Sequence, residues 1–162
     1  MTDLLPTLQE FYREKLASML SHQAAARLVG QYDINNTYQY IVNREETQLS
    51  WLAAAITELG ATPDDKAPEP ERKTAGKGPG RNNVLFEEDT RDAQAFVDRW
   101  RPRIEAMANA RHRGMLRVIL GEALEHKRFF EQARAGEKDL LGRRGKEAGE
   151  RVGEVLPERW IE

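Results

Sequence analysis

The sequence predicts an all-α chain, a four-helix bundle of two helical hairpins joined by a long crossover. Three observations carry this prediction. Apolar residues recur at alternating spacings of three and four along four segments, which marks helices with one buried face. Glycines follow the second and fourth segments, at Gly60 and Gly136, as helix stops do. Between the second and third segments, TPDDKAPEPERKTAGKGPGRNN is rich in proline, glycine and charge and reads as a loop. A chain of 162 residues is one domain with room for a real core.

The first helix is expected from about Thr7 to Val29. Thr7 and Glu10 have capping-box spacing, and Leu8, Phe11, Tyr12, Leu16, Met19, Leu20 and Ala26 lie on its apolar face. A turn at Gly30 to Asp33 leads to the second helix, about Ile34 to Leu59. Ile34, Tyr38, Ile41, Glu45, Gln48, Leu52, Ala55 and Leu59 form a continuous stripe down it. The loop covers about residues 61–86. Loops this long are uncommon in a compact domain. One that runs back along a helix of about 39 Å, at 1.5 Å per residue, accounts for its length.

The third helix is expected to start near Asp89 or Thr90, with Phe96, Val97, Trp100, Ile104 and Met107 inward and Pro102 as a kink or a first turn. A break is expected near Ala110 to Gly114, one long bent helix being the alternative. The fourth helix runs to about Ala135, with Met115, Ile119, Glu122, His126, Phe129 and Ala133 in its stripe. The bundle therefore covers residues 1–136. Residues 137–162 form a glycine-rich tail with an apolar end at Val155, Leu156, Trp160 and Ile161, expected to dock on the bundle or on a partner subunit.

Composition narrows the function classes. The formal net charge is -2, and 32% of residues are charged with the signs interspersed, which gives no nucleic-acid footprint. There is no cysteine, hence no disulfide, thiolate site or cysteine nucleophile. No run is apolar for the roughly 18 residues a membrane helix needs. MTDLLPTLQEFYREK lacks the basic start and apolar run of a signal peptide. The expectation is a soluble cytoplasmic protein. KTAGKGPGR lacks the order of a phosphate loop, and no Ser-His-Asp arrangement stands out. His22 reads as an ordinary packing residue, and His112 as a helix-end cation.

The polar residues inside the apolar stripes are the informative ones. Glu45 and Gln48 interrupt the second helix, and Glu122 and His126 the fourth, each near mid-helix. Residues three or four apart share a face, so facing helices would bring all four together. A buried carboxylate must be paired, protonated or bound to a cation. Three readings stay open: a satisfied polar network that fixes helix register, a single metal held by Glu45, Glu122 and His126 with Gln48 nearby, or that some of these residues are exposed and do nothing special. Glu46 and Glu125 read as exposed bystanders.

The layout of Tyr38, Glu45, Gln48, Trp51, Leu52, Leu59 and Gly60, together with EALEHKRFFEQA, resembles ferritin-like proteins of the rubrerythrin type over about residues 7–136. In that family each hairpin supplies one lone Glu and one Glu-x-x-His to a pair of metals. Here Gln48 stands at the first histidine and Ala123 at the second glutamate, with Glu122 one residue off. Glu10 and Glu14 lie about the right distance before Glu45, yet Leu16 and Met19 fill that level of the stripe. A standard dinuclear ligand set is absent from the sequence. The resemblance implies either a degenerate, non-catalytic bundle acting through assembly, or a protein with one iron or manganese ion that handles oxygen, peroxide or metal ions. The expected cofactor is accordingly none or that single ion. The expected partner is a second copy of the chain in a homo-oligomer, a dimer first, with no nucleic acid and no membrane.

Overall fold

The computed structural model describes residues 3–142. Four α-helices and no strand occur among them: α1 (Leu4–Leu28), α2 (Tyr32–Glu58), α3 (Asn83–Glu105) and α4 (Ala110–Arg134). Each carries an apolar stripe that cannot face water alone, so the helices bury those stripes against one another. No described helix is long and apolar enough to cross a membrane.

α1 packs along α2, and α3 along α4. Side-chain pairs give the directions. Asn35 at the start of α2 donates to Ala26 O near the end of α1, so those two run antiparallel. Trp100 Nε1, late in α3, donates to Glu14 early in α1, which makes α3 antiparallel to α1 as well. Arg111 at the start of α4 meets Glu58 at the end of α2. Consecutive helices α2 and α3 therefore run the same way, and residues 59–82 must return the full length of the bundle. They do so along α1. Gln9 Nε2 donates to Thr62 O, Arg72 Nη1 to Ser21 O and Arg81 Nη2 to Leu28 O, in ascending order on both segments.

Helix ends show where sequence expectations fail. α1 begins at Leu4, ahead of Thr7, and its N-cap Asp3 makes no side-chain bond, so the expected capping box does not form. α2 begins at Tyr32, two residues earlier than expected. α3 begins at Asn83, not near Asp89, because Leu85 and Phe86 bury in its first turns. The crossover is correspondingly shorter. Pro102 lies near the end of α3, and the chain breaks at residues 106–109, so α3 and α4 are separate helices. The glycine stops form as expected. Gly60 (φ 87) and Gly136 (φ 98) occupy the left-handed conformation that glycine adopts without steric cost. Gly60 N donates to Thr57 O and Ala61 N to Ile56 O, the paired bonds of a Schellman cap, and Gly136 and Glu137 repeat them on Ala133 and Gln132.

The core divides into two apolar clusters. One, at the Trp100 end, includes Phe11, Leu52, Ile56, Phe96, Ile104 and Leu116. Phe11 packs edge-on against Trp100, ring centroids 4.9 Å apart. The other includes Ile34, Tyr38, Ile41, Phe86, Phe129 and Phe130, with Leu140 and Leu141 packed against it. The start of the expected tail thus lies on the bundle. Val155, Leu156, Trp160 and Ile161 lie outside the described residues.

Candidate functional site: a polar layer at mid-bundle

The two clusters meet at a polar layer to which every helix contributes. His22 lies between Met19 and Ala25 on α1, and Glu45 between Val42 and Leu49 on α2. Asp89 lies between Phe86 and Phe96 on α3, and His126 between Ala123 and Phe129 on α4. All four are buried; Glu45 is 0% and His126 2% exposed.

Glu45 is the hub. His22 Nδ1 donates to its Oε1 at 2.8 Å, and the Lys15 ammonium approaches Oε2 at 3.5 Å. On its far side His22 Nε2 stands 3.8 Å from Asp89 Oδ1. Asp89 in turn accepts from Tyr38 OH at 2.5 Å and from Arg72 Nη1 at 2.8 Å. Arg72 comes from the crossover, yet its side chain is only 5% exposed. It donates five hydrogen bonds, to Ser21 O and Oγ, Asp89, Leu85 O and Glu88.

Glu122 belongs to a separate knot. It is partly exposed, and Arg44 grips it with two bonds, at 2.9 and 2.8 Å, in the forked geometry that suits a guanidinium. Gln48 Nε2 donates to it at 2.8 Å. The pairing of Gln48 with Glu122 thus joins α2 to α4, while Glu45 turns to α1. Glu10 and Glu14 pair on the outside with Arg103 and Arg99. Among the described residues no group of three or more His, Asp or Glu side chains could hold a metal ion as arranged. Basic side chains lie against these carboxylates: His22 and Lys15 at Glu45, Arg72 at Asp89 and Arg44 at Glu122.

The electrostatics follow from these contacts. Burial alone would raise the Glu45 pKa, but His22 and Lys15 outweigh it and hold the carboxyl at about 2. Burial opposes a charge on His22, and Glu45 overcomes it, so its pKa rises. Burial dominates at Asp89, whose pKa rises despite His22 and Arg72. His126 has no such partner, and burial holds it down at about 3, against 6.5 ordinarily. Its Nε2 and the Gln48 Oε1 are buried without a hydrogen-bond partner.

A pH dependence follows. The folded pKa of His126 is depressed, so its contribution is full above 6.5 and is lost as pH falls from there through about 3. Glu45 behaves alike between 4.5 and about 2. Asp89 works in the opposite sense, and His22 loses its contribution as pH rises through its raised pKa. Urea midpoints between pH 6.5 and 3 are therefore expected to fall less steeply in His126→Phe than in the wild type. Parallel profiles would contradict the neutral, buried state of His126.

The sequence singles out Glu45, Gln48, Glu122 and His126, and the structure buries all of them but Glu122. It brings Gln48 to Glu122, and it brings Glu45 to α1 instead. Missed were Lys15, Asp89, Arg72 and the role of His22, which is an ion-pair partner and not simple packing. A signal existed for two of them. Lys15 and His22 continue the row begun by Leu8 at seven-residue steps, on the buried side of α1.

No protein-family model, no curated protein and no solved structure matches this chain.

Proposed function

We propose that the chain is a ferritin-like bundle in which protein cations stand where metal ions would balance the central carboxylates, and that it acts through assembly or partner binding. One observation carries this reading. Each carboxylate of the central layer, and Glu122 in the knot beside it, has a basic side chain against it: His22 and Lys15 at Glu45, Arg72 at Asp89 and Arg44 at Glu122. A buried carboxylate needs one cationic partner, and here the protein supplies it. The two-hairpin topology, with its crossover along α1, supports the ferritin-like part.

The test is thermal unfolding with a chelator and with added iron(II) or manganese(II). No shift is expected. A metal bound to the native state at 100 times its Kd would add about 2.7 kcal/mol. For a domain of this size that is roughly 5–11 °C, a rise that would overturn the reading. For assembly, sedimentation velocity over a range of concentrations is expected to show self-association, and a monomer throughout would count against a homo-oligomer.

A second reading is iron or manganese on Glu45, Glu122 and His126. The unpartnered Nε2 of His126 favours it. It requires Arg44 to release Glu122 and Lys15 to leave Glu45, and the same melting experiment decides it.

A further inference from the structure

The crossover runs over the α1 and α3 side of the bundle, while α2 and α4 meet across a seam of their own. Two ion pairs fix the register of that seam, Arg44 with Glu122 and Glu58 with Arg111. Midway between them Trp51 stands opposite Met115 and Val118. Both charge pairs are closed, so what the seam presents at this level is apolar. Val118 is 50% exposed, and Tyr32 and Leu59, at the two ends of α2, are the other large apolar side chains left open among the described residues. Gly114 and Gly121, one turn on either side of Val118, have nothing within 4 Å of the place a Cβ would take. Glycine inside a helix costs stability, and here it leaves a strip of α4 free of side chains, where another segment can lie close to the backbone.

We infer that the chain's own C-terminal segment, Val155 to Ile161, lies in this seam against Trp51, Met115 and Val118. The path of the chain after α4 leads there. Leu140 and Leu141 turn back onto the cluster that holds Phe129 and Phe130, and residues 138–141 line a pocket with Tyr32, Asn36 and Thr37 of α2. Gly142 therefore stands at the Tyr32 end of the seam. From Thr37 to Trp51 the seam runs about 21 Å, at 1.5 Å per residue. The stretch from Gly142 to Val155 spans about 20 Å as a helix and about 43 Å extended, so it reaches that level in either form. What arrives there suits the seam. Val155, Leu156, Trp160 and Ile161 are apolar, whereas RRGKEAGERVGE before them is mostly charge and glycine and reads as a solvated connection. Docking removes the apolar side chains of both partners from water.

Limited trypsin digestion of the full chain tests this. Cleavage after Arg151 and Arg159 reports the tail, and cleavage after the exposed Lys73 and Lys77 of the crossover is the internal control. Proteolysis of a segment that opens and closes rapidly follows the population of its open form. In the wild type the bond after Arg159 is expected to be cut slowly at every protein concentration. Val118→Asp places a charge in the seam at a half-exposed site, and Leu156→Ser with Trp160→Ser removes the apolar groups from the other side. Each is expected to speed that cut about tenfold, the effect of losing one buried aliphatic contact, with the crossover rate unchanged. Should Val118→Asp fail to fold, Gly121→Glu fills the open strip without touching the core and should act alike. Equal Arg159 rates in the wild type and the variants would overturn the proposal and leave the seam uncovered. Protection that grows with protein concentration would overturn it too, and would give the seam to a second copy of the chain.

Discussion

Arg72→Ala is expected to lower stability by about 3–5 kcal/mol, the cost of breaking a buried ion pair from one side. The guanidinium is nearly enclosed and binds Asp89, Glu88, Ser21 and the Leu85 carbonyl at once. Its loss strands Asp89, whose pKa burial already raises even with Arg72 in place. It also removes a side chain that ties the middle of the crossover to both α1 and α3. Arg72→Lys is expected to recover only part of the loss, since a lysine offers a point charge without the planar fork that meets several acceptors. Urea unfolding gives the number. A change below 1 kcal/mol, the range of exposed pairs, would mean that Arg72 is solvated and the crossover is not latched.

Glu45→Leu is the second large effect, again about 3–5 kcal/mol, because Lys15 would then be buried with no carboxylate against it and His22 would keep only Asp89, 3.8 Å away. The informative comparison is the triple change Glu45→Leu, Lys15→Met, His22→Leu. Replacing a whole buried ionic set with apolar residues is often neutral or stabilising, so the triple variant is expected to regain most of what the single one loses. Losses that simply add would show that the three side chains do not act as one set, since groups in contact couple and distant ones do not.

The sequence made the helices legible because their stripes and stops are local. Ile34 to Leu59 recur at helix spacing, and Gly60 and Gly136 can take a backbone conformation that other residues avoid. The crossover was legible for its composition. Its content was not, because nothing in APEPERKTAG distinguishes the inserted Arg72 from its solvated neighbours; burial there depends on a tertiary contact with Asp89. Asp89 was hidden because it looked like a helix start, and only the burial of Leu85 and Phe86 places it a full turn inside α3. The layer on α2 and α4 could be read because polar residues interrupt narrow stripes there. On α1 the apolar face is broad, from Leu8 and Phe11 round to Tyr12 and Leu16, so Lys15 did not stand out and His22 read as ordinary packing. Which carboxylate meets which cation is decided by helix rotation, and Glu45 and Glu122 separate for that reason.

The most direct test of the central idea, that basic side chains take the place of metal at the central carboxylates, is elemental analysis of untagged protein from cells grown with added iron and manganese. The expected result is no stoichiometric metal, in the wild type and in His126→Ala alike. One or more metal ions per chain in the wild type, lost in His126→Ala or Glu122→Gln, would contradict it and make the polar layer a ligand set.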